Sequence, residues 1–215
     1  MKGKSFRVNE IFYSLQGEGF WTGTPMVFVR LSGCNLQCPF CDTDHAAFRE
    51  MTAEEIVEEA KRAGGECNTV CITGGEPLLQ VDEPLLDALH EAEYDIHIET
   101  NGTLEAPHGI DWITCSPKGG MPGVKGKTAI GLQHLDELKL LFRGWESESA
   151  RELEQARLDS WFRRVHTGEA CYFLQPCDTG DPQKNATILA QCLDYIKAHP
   201  TWRLSLQTHK LLDIR

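Results

Sequence analysis

Three cysteines, Cys34, Cys38 and Cys41, stand in CxxxCxxC spacing on a stretch that Gly33 opens and Pro39 bends. Thiolates this close in sequence can converge on one inorganic centre. A structural zinc ion takes four protein ligands and closes its shell, whereas three cysteines with no local fourth ligand leave one metal position open for a bound molecule. Further along, Gly74-Gly75-Glu76 offers close backbone approach, free amides and a carboxylate, a combination suited to a zwitterionic amino acid group. Glu18, a lone carboxylate between Gly17 and Gly19, marks either a loop that approaches a ligand or an ordinary solvated turn. Arg30 interrupts an apolar run, and a guanidinium there requires an anionic or acceptor partner.

These residues need elements that bring them together. Phe6, Val8, Ile11 and Tyr13 alternate weakly and predict a short strand over 6–13, and Met26 to Leu31 reads as a parallel strand covered on both faces. Strands are predicted at 69–73, 96–100, 112–115, 137–141 and 171–174, with a last one within 202–210. Between them lie helical faces: Ile56, Val57, Ala60 and Ala63 behind a capping box of Thr52 and Glu55; Leu85, Leu86, Leu89 and Ala92 behind Asp82 and Pro84. Leu158, Trp161, Phe162 and Val165 predict a third helix, and Leu189, Cys192, Leu193 and Ile196 a fourth. Strands alternating with helices argue for βαβ units and a parallel sheet. Cys34, Thr73, Gly75, Glu99, Thr100, Ser116 and Gln175 then fall at strand ends, with Lys139 inside a strand, and in such folds those ends share one ligand-binding rim. Residues 117–131, glycine-rich with Lys118, Lys125 and Lys127, read equally as a solvated loop or as a lid carrying positive charge.

At 215 residues the chain suits one domain spanning 1–215, which should bury about 70% of its unfolded surface. A formal charge of -11 disfavours a nucleic-acid partner, whose phosphates are bound mainly by lysine and arginine. Nine cysteines, an odd number in a chain that is not small, suit a reducing cytoplasm better than a disulfide scaffold. No apolar run approaches the ~18 residues of a spanning helix, so a soluble protein without a membrane partner is expected.

Taken together, the cysteines and the Gly-Gly-Glu element resemble the radical S-adenosylmethionine superfamily, in which three cysteines hold a [4Fe-4S] cluster and the cofactor's methionyl part chelates the open iron. Leu15-Gln16-Gly17-Glu18-Gly19, Cys41-Asp42-Thr43, Thr73-Gly74-Gly75-Glu76-Pro77, Ile98-Glu99-Thr100-Asn101-Gly102, Ser116-Pro117-Lys118 and Gln207-Thr208-His209-Lys210 narrow the resemblance to the 7-carboxy-7-deazaguanine synthases. The matches run from residue 15 to residue 210.

The resemblance implies an abbreviated partial TIM-type barrel of the (β6/α3) kind, a homodimer, and radical ring contraction of 6-carboxy-5,6,7,8-tetrahydropterin to 7-carboxy-7-deazaguanine with loss of ammonia, for queuosine and related 7-deazapurines. It implies that Cys34, Cys38 and Cys41 ligate the cluster and Thr43 a Mg²⁺ ion. S-adenosylmethionine would contact Phe40, Cys41, Asp42, Gly75, Glu76, Ser116, Pro117, Lys118, Gln175, Pro176, Cys177 and Asp178. The pterin would contact Leu15, Gln16, Gly17, Glu18, Arg30, Thr73 and Arg215. An electron donor such as a flavodoxin or ferredoxin is implied as a partner. Cys71, Cys115, Cys171 and Cys192 lie in apolar patterns and read as core thiols, while His45 and His209 read equally as proton carriers or as structural histidines. Two alternatives are weighed against this: an activase that generates a glycyl radical on a partner enzyme, and a non-catalytic zinc or electron-transfer protein.

Overall fold

The computed structural model describes residues 4–41, 47–165 and 170–215. Strand β1 (Phe6–Leu15) runs antiparallel to β2 (Pro25–Leu31), and β3 (Arg49–Met51) caps the free edge of β1. From β2 onward the sheet is parallel, through β4 (Thr69–Gly74), β5 (Asp95–Thr100), β6 (Trp112–Cys115), β7 (Glu137–Phe142), β8 (Cys171–Pro176) and the short β9 (Arg203–Leu204). The order β3-β1-β2-β4-β5-β6-β7-β8-β9 makes one mixed sheet whose six parallel strands β2 to β8 match the expected set.

Helix α1 (Ala53–Gly64) begins at the predicted capping box, with Thr52 and Glu55 bonding each other's backbone. Helix α2 (Glu83–Glu91) is capped by the Asp82 side chain, with proline in its first turn. Together with α3 (Glu148–Val165), these helices cover the crossovers into β4, β5 and β8, whereas the β5–β6 and β6–β7 connections carry none. Three helices on six strands is the abbreviated barrel the sequence implied. Helix α4 (Pro182–Ala198) follows β8 and buries Ile188, Cys192 and Tyr195, a face offset by one residue from the predicted one.

Strand alternation sorts the side chains between two faces. Val27, Val29 and Leu31 join Ile72, Ile96, Ile98, Leu138 and Leu140 against the helices in the main core. The intervening positions (Phe28 and Arg30, Thr73, Glu99, Lys139, Leu141 and Gln175) line a cavity on the opposite, concave face. One period-2 pattern thus builds the core and delivers polar groups to the site.

The last predicted strand is corrected: only Arg203–Leu204 pairs with β8, and Thr208–Leu212 turns into the short helix α5. Gln207 and Thr208 spend their bonding capacity on the loop after β1 instead of on a ladder, since the Thr208 amide and hydroxyl both donate to the Gly17 carbonyl at 2.9 and 3.0 Å. Among the described residues no helix is long and apolar enough to cross a membrane.

Candidate active site

The loops at the C-terminal strand ends enclose a cavity of about 440 Å³. One wall is the cysteine loop, where Cys34, Cys38 and Cys41 line the same space with Leu36 and Phe40 between them. A turn closed by the Cys41 amide donating to the Cys38 carbonyl at 3.1 Å shapes the loop, and the Leu36 amide donates to Cys34 Sγ at 3.4 Å. All three thiols are free of disulfides. Burial pushes the Cys34 and Cys38 thiols above their ordinary range, and the neighbouring thiols add to it because negative charges crowded toward one point repel. Three thiols lining one cavity, with a backbone amide donating to one of them, are a donor set whose chemistry fits an iron–sulfur cluster held by cysteines.

The loop rests on the 117–131 connection. Gln37 and Lys125 pair backbone to backbone at 2.9 and 3.0 Å, and the Gly119 carbonyl accepts from the Trp161 indole at 3.1 Å. Within this connection only Lys118 reaches the cavity wall, its ammonium held by the Ser116 carbonyl at 2.5 Å and hydroxyl at 2.7 Å. Burial, reinforced by the Lys139 charge, pushes the Lys118 ammonium pKa down.

The opposite wall is a charge network. Lys139 Nζ lies 2.6 Å from Glu18 Oε2 and 3.2 Å from Glu99 Oε2. Glu18 Oε1 accepts from Gln175 at 3.1 Å and from Gln207 at 2.8 Å, and Glu99 Oε1 accepts from Gln16 at 3.0 Å. Burial alone would raise the Glu18 pKa, but the Lys139 ammonium, with the Gln207 hydrogen bond and His209, overcomes it and holds the carboxyl well below the usual carboxylate range. Arg30 donates from Nε to Glu10 at 2.9 Å, so the partner its burial demanded is in the chain itself. The Arg215 guanidinium bonds the same Glu10 at 2.8 Å, and the Arg215 carbonyl oxygen accepts from Ser14 at 2.5 Å, which seats the chain end at the cavity wall. Gly17 has no room for a Cβ, because the His209 imidazole packs where it would stand.

Every pterin-side candidate named from the sequence lines this cavity: Leu15, Gln16, Gly17, Glu18, Arg30, Thr73 and Arg215. So do Phe40, Gly75, Ser116, Lys118, Gln175, Cys177 and Asp178 on the cofactor side. Asp42, Thr43 and His45 lie outside the described residues. Glu76 is 0% exposed and is not among the residues lining the cavity; its carboxylate accepts from Thr100 Oγ1 and the Asn101 amide, each at 2.7 Å, and from the Leu78 amide at 3.0 Å. Pro117 and Pro176 are not among the lining residues, whereas Ser116, Lys118, Gln175 and Cys177 beside them are. The cysteines read as core thiols divide, since Cys71, Cys115 and Cys192 are buried while Cys171 is half-buried.

Residues 28–139 match the model of the Radical SAM superfamily. A 7-carboxy-7-deazaguanine synthase from Bacteroides thetaiotaomicron is 49% identical over 209 residues, covering 97% of this chain and 98% of the relative. One from Bradyrhizobium diazoefficiens is 39% identical over 231 residues, covering 98% and 100%. The chain belongs to the 7-carboxy-7-deazaguanine synthase family. The crystal structure of QueE from Escherichia coli superposes with a TM-score of 0.75 at 26% identity, covering 94% of this chain and 93% of that one. Membership in the 7-carboxy-7-deazaguanine synthase family brings a [4Fe-4S] cluster and S-adenosylmethionine as cofactors.

Glu99 and Lys139, legible from sequence as polar strand positions, line the cavity. Glu10, which bonds Arg30 and Arg215, Ser205, which donates to Gln175 at 2.9 Å, and Glu137 were not legible and stand behind the lining. Glu137 is 2% exposed; its Oε2 accepts from the Phe20 amide at 2.9 Å, and its Oε1 has no partner among the described residues. Burial raises its pKa from 4.5 to about 7, against the pull of Lys139. Between these values the folded state keeps a proton that the unfolded state releases, so stability is full below the unfolded value and falls as pH rises toward about 7. The loss amounts to about 3 kcal/mol at most, and Glu137→Gln should flatten this slope in denaturant unfolding between about pH 5 and about pH 8. An unchanged slope would place the titrating group elsewhere.

Proposed function

We propose that this chain converts 6-carboxy-5,6,7,8-tetrahydropterin to 7-carboxy-7-deazaguanine with loss of ammonia, as a radical S-adenosylmethionine lyase of queuosine and 7-deazapurine biosynthesis. The observation that carries the reading is the joining, in one cavity, of a three-cysteine wall and a wall of fixed carboxylates and amides, in a chain 49% identical to a synthase of that name over nearly its whole length. When bound, the cluster and S-adenosylmethionine supply a carbon-centred radical that takes a hydrogen atom from the substrate.

The chain's own residues do the rest. Cys34, Cys38 and Cys41 hold the cluster. Phe40, Gly75, Ser116, Lys118, Gln175, Cys177 and Asp178 line the cofactor half, with Asp42 assigned to the same half from sequence. Gln16, Glu18, Arg30 and Thr73 bind and orient the pterin: Glu18 as an ionised acceptor for its amino-pyrimidine edge, Arg30 as a donor to its carboxylate. Leu15, Gly17 and Arg215 complete that wall. Thr43 ligates Mg²⁺, a role supported by the fit of a hydroxyl to that hard cation.

The reading further includes one domain over 1–215, a homodimer, a flavodoxin- or ferredoxin-type electron donor and a cytoplasmic site. Nine free cysteines support the last.

The test is an anaerobic assay of reconstituted protein with reductant, S-adenosylmethionine and the pterin, with and without Mg²⁺, read by mass spectrometry. The deazapurine should appear, and metal analysis should give about four iron and four sulfide per chain. Cofactor cleavage without the deazapurine product would reject the assignment, and about one zinc without sulfide would reject the enzyme.

A further inference from the structure

Lys139 belongs neither to the cysteine wall nor to the cofactor half of the cavity. It is 3% exposed, stands on β7, and reaches two carboxylates that arrive from different directions. Glu18 comes from the loop after β1, and Glu99 from the end of β5, two positions away in the sheet. A carboxylate has about four acceptor sites. Glu18 receives Lys139, Gln175 and Gln207, and Glu99 receives Lys139 and Gln16, so both keep acceptor capacity while lining the cavity.

Two carboxylates gathered on one point repel each other, and the ammonium between them offsets that repulsion. The charged groups facing the Lys139 ammonium are Glu18, Glu99 and, on its own strand, Glu137, with Lys118 opposing them from the β6–β7 connection and the Cys71 thiol beneath on β4. His209 faces Glu18 from the C-terminal segment. Two carboxylates bond this buried ammonium, and Glu137 adds its electrostatic pull from the same strand.

We propose that Lys139 is the positioning residue of the substrate wall: it fixes Glu18 and Glu99 as a pair of ionised acceptors matched to adjacent N–H donors of an amino-pyrimidinone ring. Lys139 touches no reacting atom in this scheme. It sets the spacing of the two groups that do the binding and balances their charge. A substrate offering acceptors at that edge would meet two fixed negative charges and be refused. The inference rests on the pterin reading above and extends it to specificity.

The test compares wild type with Lys139→Met, which keeps length and removes charge, and with Lys139→Arg, which keeps charge. Binding of the carboxytetrahydropterin is measured by calorimetry on cluster-loaded enzyme without reductant, so that nothing turns over. Rates are then measured with reductant across about pH 6 to about pH 9. Lys139→Met should weaken binding at least about tenfold near pH 8, with kcat falling only about threefold, because hydrogen bonds to ionised acceptors are the ones lost. The acid limb of kcat/KM should move up by about one pH unit or more, and Lys139→Arg should leave that limb where wild type has it.

Binding within about twofold of wild type, or losses in KM and kcat with an unmoved limb, would overturn the proposal in favour of a structural role. If Lys139→Met does not fold, Glu99→Gln is compared with Glu99→Gln/Lys139→Met, which removes one charge of each sign. The same loss of affinity and limb shift is expected, and equality of the two would overturn the proposal. A wild-type enzyme that neither binds nor converts the pterin would sink the functional reading, whereas normal wild-type binding with indifferent Lys139 variants would sink only this inference.

Discussion

Cys38→Ala should lower bound iron from about four atoms per chain to well under one, and abolish turnover by on the order of a thousandfold or more, while leaving the fold nearly unchanged. The asymmetry follows from position. Cys38 is half-buried on a loop wall, so truncating its side chain opens no core cavity and costs within about 1 kcal/mol. It is nonetheless one of only three thiols facing the cavity from that loop, and two thiolates leave the cluster without a third protein anchor. Cys71→Ala should do the reverse. That thiol is 1% exposed and packs with Phe12, Met26 and Phe28, so its loss should cost about 1–2 kcal/mol in denaturant unfolding and leave iron content alone. If Cys38→Ala keeps its iron, the cysteine wall is not the cluster site, and if Cys71→Ala loses iron, the division between ligand and core thiols fails.

The same division explains what the sequence made legible. Local signals sufficed where one stretch carries its own geometry: three cysteines within eight residues, a Thr52 and Glu55 cap, and apolar runs long enough to be buried strands. The rule that strand ends of a parallel sheet share one rim then gathered Thr73, Glu99, Lys139 and Gln175, and all four line the cavity. The misses are of another kind. Glu10 as the partner of both Arg30 and Arg215 joins residues 20 and 205 positions apart. The helical turn of Thr208–Leu212 depends on acceptors at Gly17 and Glu18 across the molecule. Such partnerships leave no trace in spacing, so Gln207 read as the middle of a strand although its side chain is committed to a charge network.

Glu76 has partners of the same long-range kind, and its replacement should have the largest effect on stability. The Gly-Gly-Glu element suggested a carboxylate offered to a ligand, yet the Glu76 carboxylate is enclosed and shared among Thr100, Asn101 and Leu78. Burial raises its pKa, and these three donors oppose that shift. Glu76→Ala leaves two buried backbone amides and a hydroxyl without acceptors, and at about 1–3 kcal/mol for each unsatisfied group the fold should lose about 3–5 kcal/mol. Glu76→Gln keeps the volume and one acceptor but turns an amide donor toward other donors, so a smaller loss of about 2 kcal/mol is expected. The effect should reach the cysteines by a defined route. Glu76 orients Asn101, whose side chain donates to Asn35 at 2.9 Å, and Asn35 is the residue after Cys34. The Glu76 amide also donates to the Gly33 carbonyl at 2.9 Å, tying the same loop from its other end. Iron content should therefore fall in Glu76→Ala, but only in part, because all three thiols remain. Urea unfolding of the apoprotein separates stability from cluster loading. A loss below about 1 kcal/mol would show that Glu76 does not brace β4 against β5, and would return its carboxylate to the list of groups available to a ligand.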